Sequence, residues 1–82
     1  APGAAVGAAD ACAQALREWR SEAAKQASVP AYVVLNDSEL AGIAMVRPRT
    51  LRELARCKGI GPVRLERWGD ELLAVLESAA GG

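Results

Sequence analysis

Seven cations fall between residues 47 and 67: Arg47, Arg49, Arg52, Arg56, Lys58, Arg64 and Arg67. Only Glu53 and Glu66 oppose them there, a local balance of +5. The chain as a whole is neutral, because residues 1–46 carry −2 and residues 68–82 carry −3. A basic segment between acidic flanks can attract an anion that the whole-chain charge would not. The plainer reading, a solvated surface of mixed sign, stays open beside it. Inside the basic segment stands CKGIGPVR, Cys57 to Arg64. One helix can end at Gly59, and another can begin at Pro62 with Gly61 as its N-cap. The free backbone N–H groups of such a helix start can cradle a phosphate, with Lys58 and Arg64 flanking it at the surface. The structural reading is placed first. Ile60 between two glycines gains nothing exposed, whereas burying such a side chain contributes about 1.5–3 kcal/mol. The stretch is therefore read as a turn joining two packed helices, with Gly59, Ile60 and Gly61 as structural residues.

Tyr32 is the other residue with chemistry to offer. It follows Pro30 in what reads as a loop, where an exposed ring could stack on an unpaired base. A ring half-buried on the first helix with its hydroxyl in water is the equal alternative. Catalytic constellations are missing from the sequence. It has no His, no Gly-x-x-x-x-Gly-Lys and no activated nucleophile, so no enzyme and no cofactor is expected of it. Cys12 and Cys57 stand 45 residues apart without a CxxC, so no metal site is expected and both are read as reduced thiols of a cytosolic protein.

The elements that must position these residues follow from periodicity. The 82 residues suffice for one small domain. With no Phe and few aromatics, Ala, Leu and Val must fill the core, which favours close-packed helices. No apolar run reaches the roughly 20 residues of a membrane span, and no membrane association is expected. The chain does not begin with Met and is read as a piece of something larger. Residues 1–8, APGAAVGA, read as a linker or disordered end, residues 9–79 as the helical domain, and residues 80–82 as a frayed end.

From Ala9 the pattern is helical. Cys12, Leu16, Trp19 and Ala23 share one face, with Arg17, Glu18, Arg20 and Glu22 on the other sides. Pro30 stops this helix and pushes Val29 toward an extended conformation. AYVVLND, residues 31–37, looks like a strand by propensity, but no second run exists to pair with it. It is read as an extended or single-turn connector that places Val33, Val34 or Leu35 in the core. Asn36 with Glu39 has the form of a capping box and opens a helix carrying Leu40, Ile43 and Ala44, which ends before Pro48. Thr50 with Glu53 is a second such box, opening a helix with Leu51, Leu54 and Ala55. The last helix carries Leu65, Trp68, Leu72, Val75 and Leu76 on one face. Gly69 within it is read as permitting close approach of a neighbour. Trp19 and Trp68, on apolar faces, are read as core. The expected fold is all-α, with four main helices and short connections.

Two resemblances bear on this pattern. The Gly59–Ile60–Gly61 turn is similar to the backbone-holding turn of helix-hairpin-helix modules, but Leu65 stands where that family wants a small residue. The wider pattern covers about residues 12–78. LREWR at 16–20, VPAYVVLNDSEL at 29–40, IAMVRPRTLREL at 43–54 and KGIGPVRLERWGDELLAVL at 58–76, in that order and spacing, resemble the HRDC domain. This is the "helicase and RNase D C-terminal" module, and the likeness is greatest to that of a bacterial RecQ-family DNA helicase. The family pattern commonly has Lys where Arg64 stands and a smaller aromatic where Trp68 stands.

The resemblance implies a compact bundle of about five helices, counting a short helical turn at Tyr32–Leu35. It implies an accessory, non-catalytic domain that binds single-stranded or branched DNA weakly and tunes substrate choice. Tyr32, Arg47, Arg49, Arg52, Lys58 and Arg64 would make the nucleic-acid contacts, while Trp19, Gly59, Ile60, Gly61, Trp68 and Gly69 would be structural. The alternatives are a regulatory module that docks on its own helicase with little DNA affinity, or the same module in a ribonuclease D. The implied setting is a monomer in the bacterial cytoplasm, associated with the nucleoid through its parent enzyme and in contact with that enzyme's other domains.

Overall fold

The structure, a computed structural model, describes the backbone of residues 2–81 and the side chains of residues 11–79. Five helices follow one another: α1 (Pro2–Ala27), α2 (Ala31–Val34), α3 (Asp37–Val46), α4 (Leu51–Ala55) and α5 (Pro62–Gly81), with no strand among the described residues. The linker expected over residues 1–8 and the frayed end over 80–82 fall on residues whose side chains lie outside those described.

Each helix boundary has a local cause. At the end of α1, Ser28 takes a left-handed conformation, φ 57°. The Val29 N–H then donates to the Ala24 carbonyl at 3.0 Å and the Ser28 N–H to the Lys25 carbonyl at 3.1 Å. This pair of bonds is a Schellman cap, with a serine where glycine is usual. It sets Val29 against the core before Pro30 redirects the chain. The stretch with strand propensity becomes the single helical turn α2, which buries Val34 and Leu35 completely and leaves Val33 at the surface.

At α3 the capping box is complete. The Glu39 N–H donates to Asn36 Oδ1 at 2.7 Å and the Asn36 N–H to Glu39 Oε1 at 2.9 Å. At α4 it is half complete. The Glu53 N–H donates to Thr50 Oγ1 at 3.1 Å, but Glu53 Oε1 accepts from the Arg49 N–H at 2.7 Å, one residue further back than the motif prescribes. The sequence pattern foresaw both N-caps and only one of the return bonds.

The core is built from Cys12, Leu16, Ala23 and Ala24 of α1, Val34 and Leu35, Leu40, Ile43 and Ala44 of α3, Leu54 of α4, Cys57, Ile60, and Leu72 and Leu76 of α5. The helix α1 is the spine, packed against α2, α3 and α5, while α4 lies on α5. Trp19 and Trp68 are not core residues as expected. Both are partly buried at the seam between α1 and α5, their rings edge to face with centroids 6.3 Å apart. A full-size indole must also satisfy its N–H, and Trp19 Nε1 reaches the Glu71 carboxylate at 3.2 Å. Arg67 covers the outer face of Trp68, its guanidinium carbon 4.9 Å from the ring centroid.

Candidate nucleic-acid interface

The turn between α4 and α5 is first a packing device. Ile60 is buried, at 6% exposure, and the Ile60 N–H closes the turn on the Cys57 carbonyl at 3.2 Å. The expectation that Gly59 caps α4 directly is corrected: α4 ends at Ala55, and Gly59 lies in the turn beyond it. Its φ of 84° belongs to the left-handed region, and a Cβ there would collide with the Glu39 carboxylate. Gly61 differs. A Cβ on it would meet nothing within 4 Å, so its place in the turn does not rest on close packing. It serves as the N-cap, its carbonyl accepting the first α5 bond from Leu65 N–H at 2.9 Å. Gly69 is buried, and a Cβ there would come within 2.7 Å of Leu51 Cδ2, which is the close helix approach its position suggested.

The cations divide into two kinds. Arg64, expected at the surface beside a phosphate, is folded back into the protein. Its Nη1 donates to Glu39 Oε1 and to the Gly59 carbonyl, each at 2.9 Å, and its Nη2 donates to the Val33 carbonyl at 2.9 Å. Its side chain is 25% exposed and that of Glu39 12%. Arg20 behaves likewise, against the expectation that it lies on an outer side of α1. Its Nη1 donates to the Leu35 carbonyl at 2.9 Å and to Asp37 Oδ1 at 3.0 Å, fastening the α2–α3 junction to α1. The sequence held a signal for this. Leu16, Arg20 and Ala24 stand at i, i+4, i+8, on the face that is buried. The second role of Glu39, as partner of Arg64 as well as cap, had no local signal.

Arg47, Arg49, Arg52, Arg56 and Lys58 are exposed and form no ion pair among the described residues. They do not form one patch. Arg47 and Arg49 border a groove of about 700 Å³ lined also by Val46, Pro48, Leu73, Leu76 and Glu77. That groove lies against the second half of α5. At 1.5 Å per residue it is about 14–20 Å along the helix from Arg64. Lys58 belongs instead to the turn that Arg64 holds. Tyr32 is exposed at 67%, on the helical turn whose Val33 carbonyl Arg64 also holds. One guanidinium therefore ties together the two backbone segments that carry Tyr32 and Lys58. Val63, at 77% exposure, adds an apolar side chain on the first turn of α5.

Cys12 and Cys57 are buried free thiols, and burial pushes the Cys57 thiol above its ordinary pKa. No His, Cys, Asp or Glu side chains gather in a group that could hold a metal ion among the described residues. No helix among them is long and apolar enough to cross a membrane.

A small all-α bundle whose last two helices are joined by a glycine turn, with a one-turn helix after the first, is the architecture expected of an HRDC domain. The HRDC domain family model matches residues 9–76, and the chain belongs to that family. Among solved structures it is similar to "D. radiodurans RecQ HRDC domain 3", with a TM-score of 0.88 and 35% identity over 90% of this chain and 97% of that one. It is 39% identical over 61 residues to "ATP-dependent DNA helicase UvrD2" of Mycobacterium tuberculosis, covering 74% of this chain and 9% of the relative. It is 32% identical over 62 residues to "ATP-dependent DNA helicase RecQ" of Haemophilus influenzae, covering 76% of this chain and 10% of the relative. The chain thus corresponds to about a tenth of the length of these helicases.

Proposed function

We propose that this chain is the accessory HRDC domain of a DNA helicase and that it binds single-stranded or branched DNA weakly, tuning which substrate its parent enzyme engages. The observation that carries this reading is Tyr32. A ring 67% exposed on the single helical turn α2 costs apolar hydration that a packed ring would avoid, and it is available to stack on an unpaired base. Lys58 supplies a nearby segment with charge, and Arg47, Arg49 and Arg52 extend the attraction of phosphates along the surface. That the similar full-length proteins are named as DNA helicases favours DNA over the RNA of a ribonuclease D. The setting proposed is a monomeric domain in the bacterial cytoplasm, brought to the nucleoid by its parent.

A second reading has its own support. The groove beside Arg47 and Arg49 is lined also by Val46, which is 62% exposed, and such a surface suits docking on another domain of the parent helicase. Fluorescence anisotropy with a labelled oligothymidylate at several salt concentrations separates the two. DNA binding predicts micromolar or weaker affinity and a log–log salt slope of roughly −2 to −3, from three or four phosphate contacts. Tyr32→Ala should remove about 1–3 kcal/mol, the worth of one stacked base. Absence of binding even at low salt would leave the docking reading alone.

A further inference from the structure

We propose that Arg64 is a positioning residue of the DNA-binding surface and not one of its phosphate contacts. The proposal rests on the reading of Tyr32 and Lys58 as that surface. Among the described residues the polar contacts of Arg64 come from three elements: Glu39 in the first turn of α3, Gly59 in the α4–α5 turn and Val33 in α2. The division of labour between its two terminal nitrogens is specific. Nη1 holds both the carboxylate and the Gly59 carbonyl, whereas Nη2 alone holds the Val33 carbonyl, the residue after Tyr32.

The helix α2 has little else to fix it. It is 4 residues long, its N-cap Pro30 gives no side-chain cap, and at its ends the Val33 N–H donates to the Pro30 carbonyl at 3.0 Å and the Leu35 N–H to the Ala31 carbonyl at 3.2 Å. An isolated turn of this length is unstable in water. Burial of Val34 and Leu35 holds one side of it, and Arg20 on the Leu35 carbonyl holds its end. Arg64 Nη2 is a further tether, on the carbonyl of the residue that follows Tyr32. Glu39 stabilises the arrangement by compensating the guanidinium charge where it is partly withdrawn from water.

Lysine in this position tests the idea, because it keeps the charge but has a single donor centre. An ammonium placed near Nη1 can hold Glu39 and Gly59, yet cannot also reach Val33. Arg64→Lys should therefore loosen α2 while leaving the turn intact. In the free protein, hydrogen exchange followed by NMR should show the Leu35 amide exchanging about fivefold faster, the equivalent of one hydrogen bond, with the Ile60 amide unchanged. In anisotropy with the labelled oligothymidylate, the same variant should bind about fivefold more weakly with an unchanged salt slope. Glu39→Gln retains the capping acceptor but removes the charge that compensates the guanidinium, so it should bind no more tightly than the parent chain and at most about fivefold more weakly.

A phosphate-contact role predicts the opposite pattern. Arg64→Lys would bind like the parent, and Glu39→Gln, by releasing the guanidinium and removing an anion, would bind more tightly. Either result overturns the proposal, as does an unchanged Leu35 exchange rate in Arg64→Lys. If the parent chain fails to bind the oligonucleotide, the DNA reading falls, and the exchange rates alone then decide whether Arg64 positions α2.

Discussion

Two connectors in this chain look alike in sequence and do different work. Arg47–Pro48–Arg49–Thr50 leads from α3 into α4, and Lys58–Gly59–Ile60–Gly61–Pro62 leads from α4 into α5. Both contain a proline and at least one cation, and both need one residue in the left-handed region. In the second, glycine supplies it at φ 84°, and in the first Arg47 does so at φ 49°. The second connector buries Ile60 and is fastened by Arg64. The first buries Pro48 and leaves both arginines exposed beside a groove. Lys58, like Arg47 and Arg49, is exposed and forms no ion pair among the described residues, so what separates the connectors is the claimed guanidinium of Arg64 on the following helix, which spacing alone does not reveal.

The largest expected effect comes from the core of the second connector. Ile60→Ala should lower stability by about 2–5 kcal/mol, read as a shift in urea midpoint at constant slope. A loss under about 1 kcal/mol would mean that Ile60 does not hold the turn, and the contrast with the exposed connector would dissolve. Gly59→Ala should follow, at about 1–2 kcal/mol for the left-handed backbone alone, with more from the collision with Glu39. A double-mutant cycle with Glu39→Ala sharpens the assignment. The two losses should be less than additive, because the second change removes the side chain that the first one strikes.

The first connector should respond with the opposite sign. Arg47→Gly relieves a left-handed non-glycine residue, and should stabilise the fold by about 0.5–1 kcal/mol once the greater freedom of glycine in the unfolded chain is subtracted. A loss of stability there would show that the fold depends on the Arg47 side chain much as it does on that of Arg64. The smallest effect is alkaline. Burial raises the Cys57 pKa in the folded state, so its contribution to stability is fully present below the ordinary thiol pKa. That contribution is lost as pH rises through the folded value. Thermal melts at increasing alkaline pH should show the decline, and Cys57→Ala should remove that component of it.

The two capping boxes show how far local sequence reaches. Asn36 and Thr50 both cap the helices assigned to them, because the side chain and the N–H it accepts are three residues apart on one stretch of backbone. The glutamates of the same motifs went to different places. Glu39 returned to Asn36 and also met Arg64, while Glu53 reached Arg49 instead of Thr50. The periodic positions Leu16, Leu40, Ile43, Leu72 and Leu76 were legible as core, since helical period and apolarity together specify a buried face. The exposure of Tyr32 was not, because whether a ring beside a proline finds an apolar partner depends on which element the fold sets next to it.

Helix order, N-caps, the glycine turn and the burial of Ile60 were determined by sequence alone. They depend on interactions within a few residues and on a hydrophobic pattern that has one way to face inward. The fate of the cations was decided only in three dimensions. Arg20 and Arg64 became internal fasteners because folding brought carbonyls of α2, its C-terminal cap and the α4–α5 turn, and carboxylates of α3, within reach of their guanidinium groups. Those acceptors lie 15 to 31 residues away for all but Gly59, and nothing in the local sequence of either arginine encodes such a meeting. Arg47, Arg49 and Lys58 kept their charge at the surface for the complementary reason: among the described residues no carboxylate pairs with them.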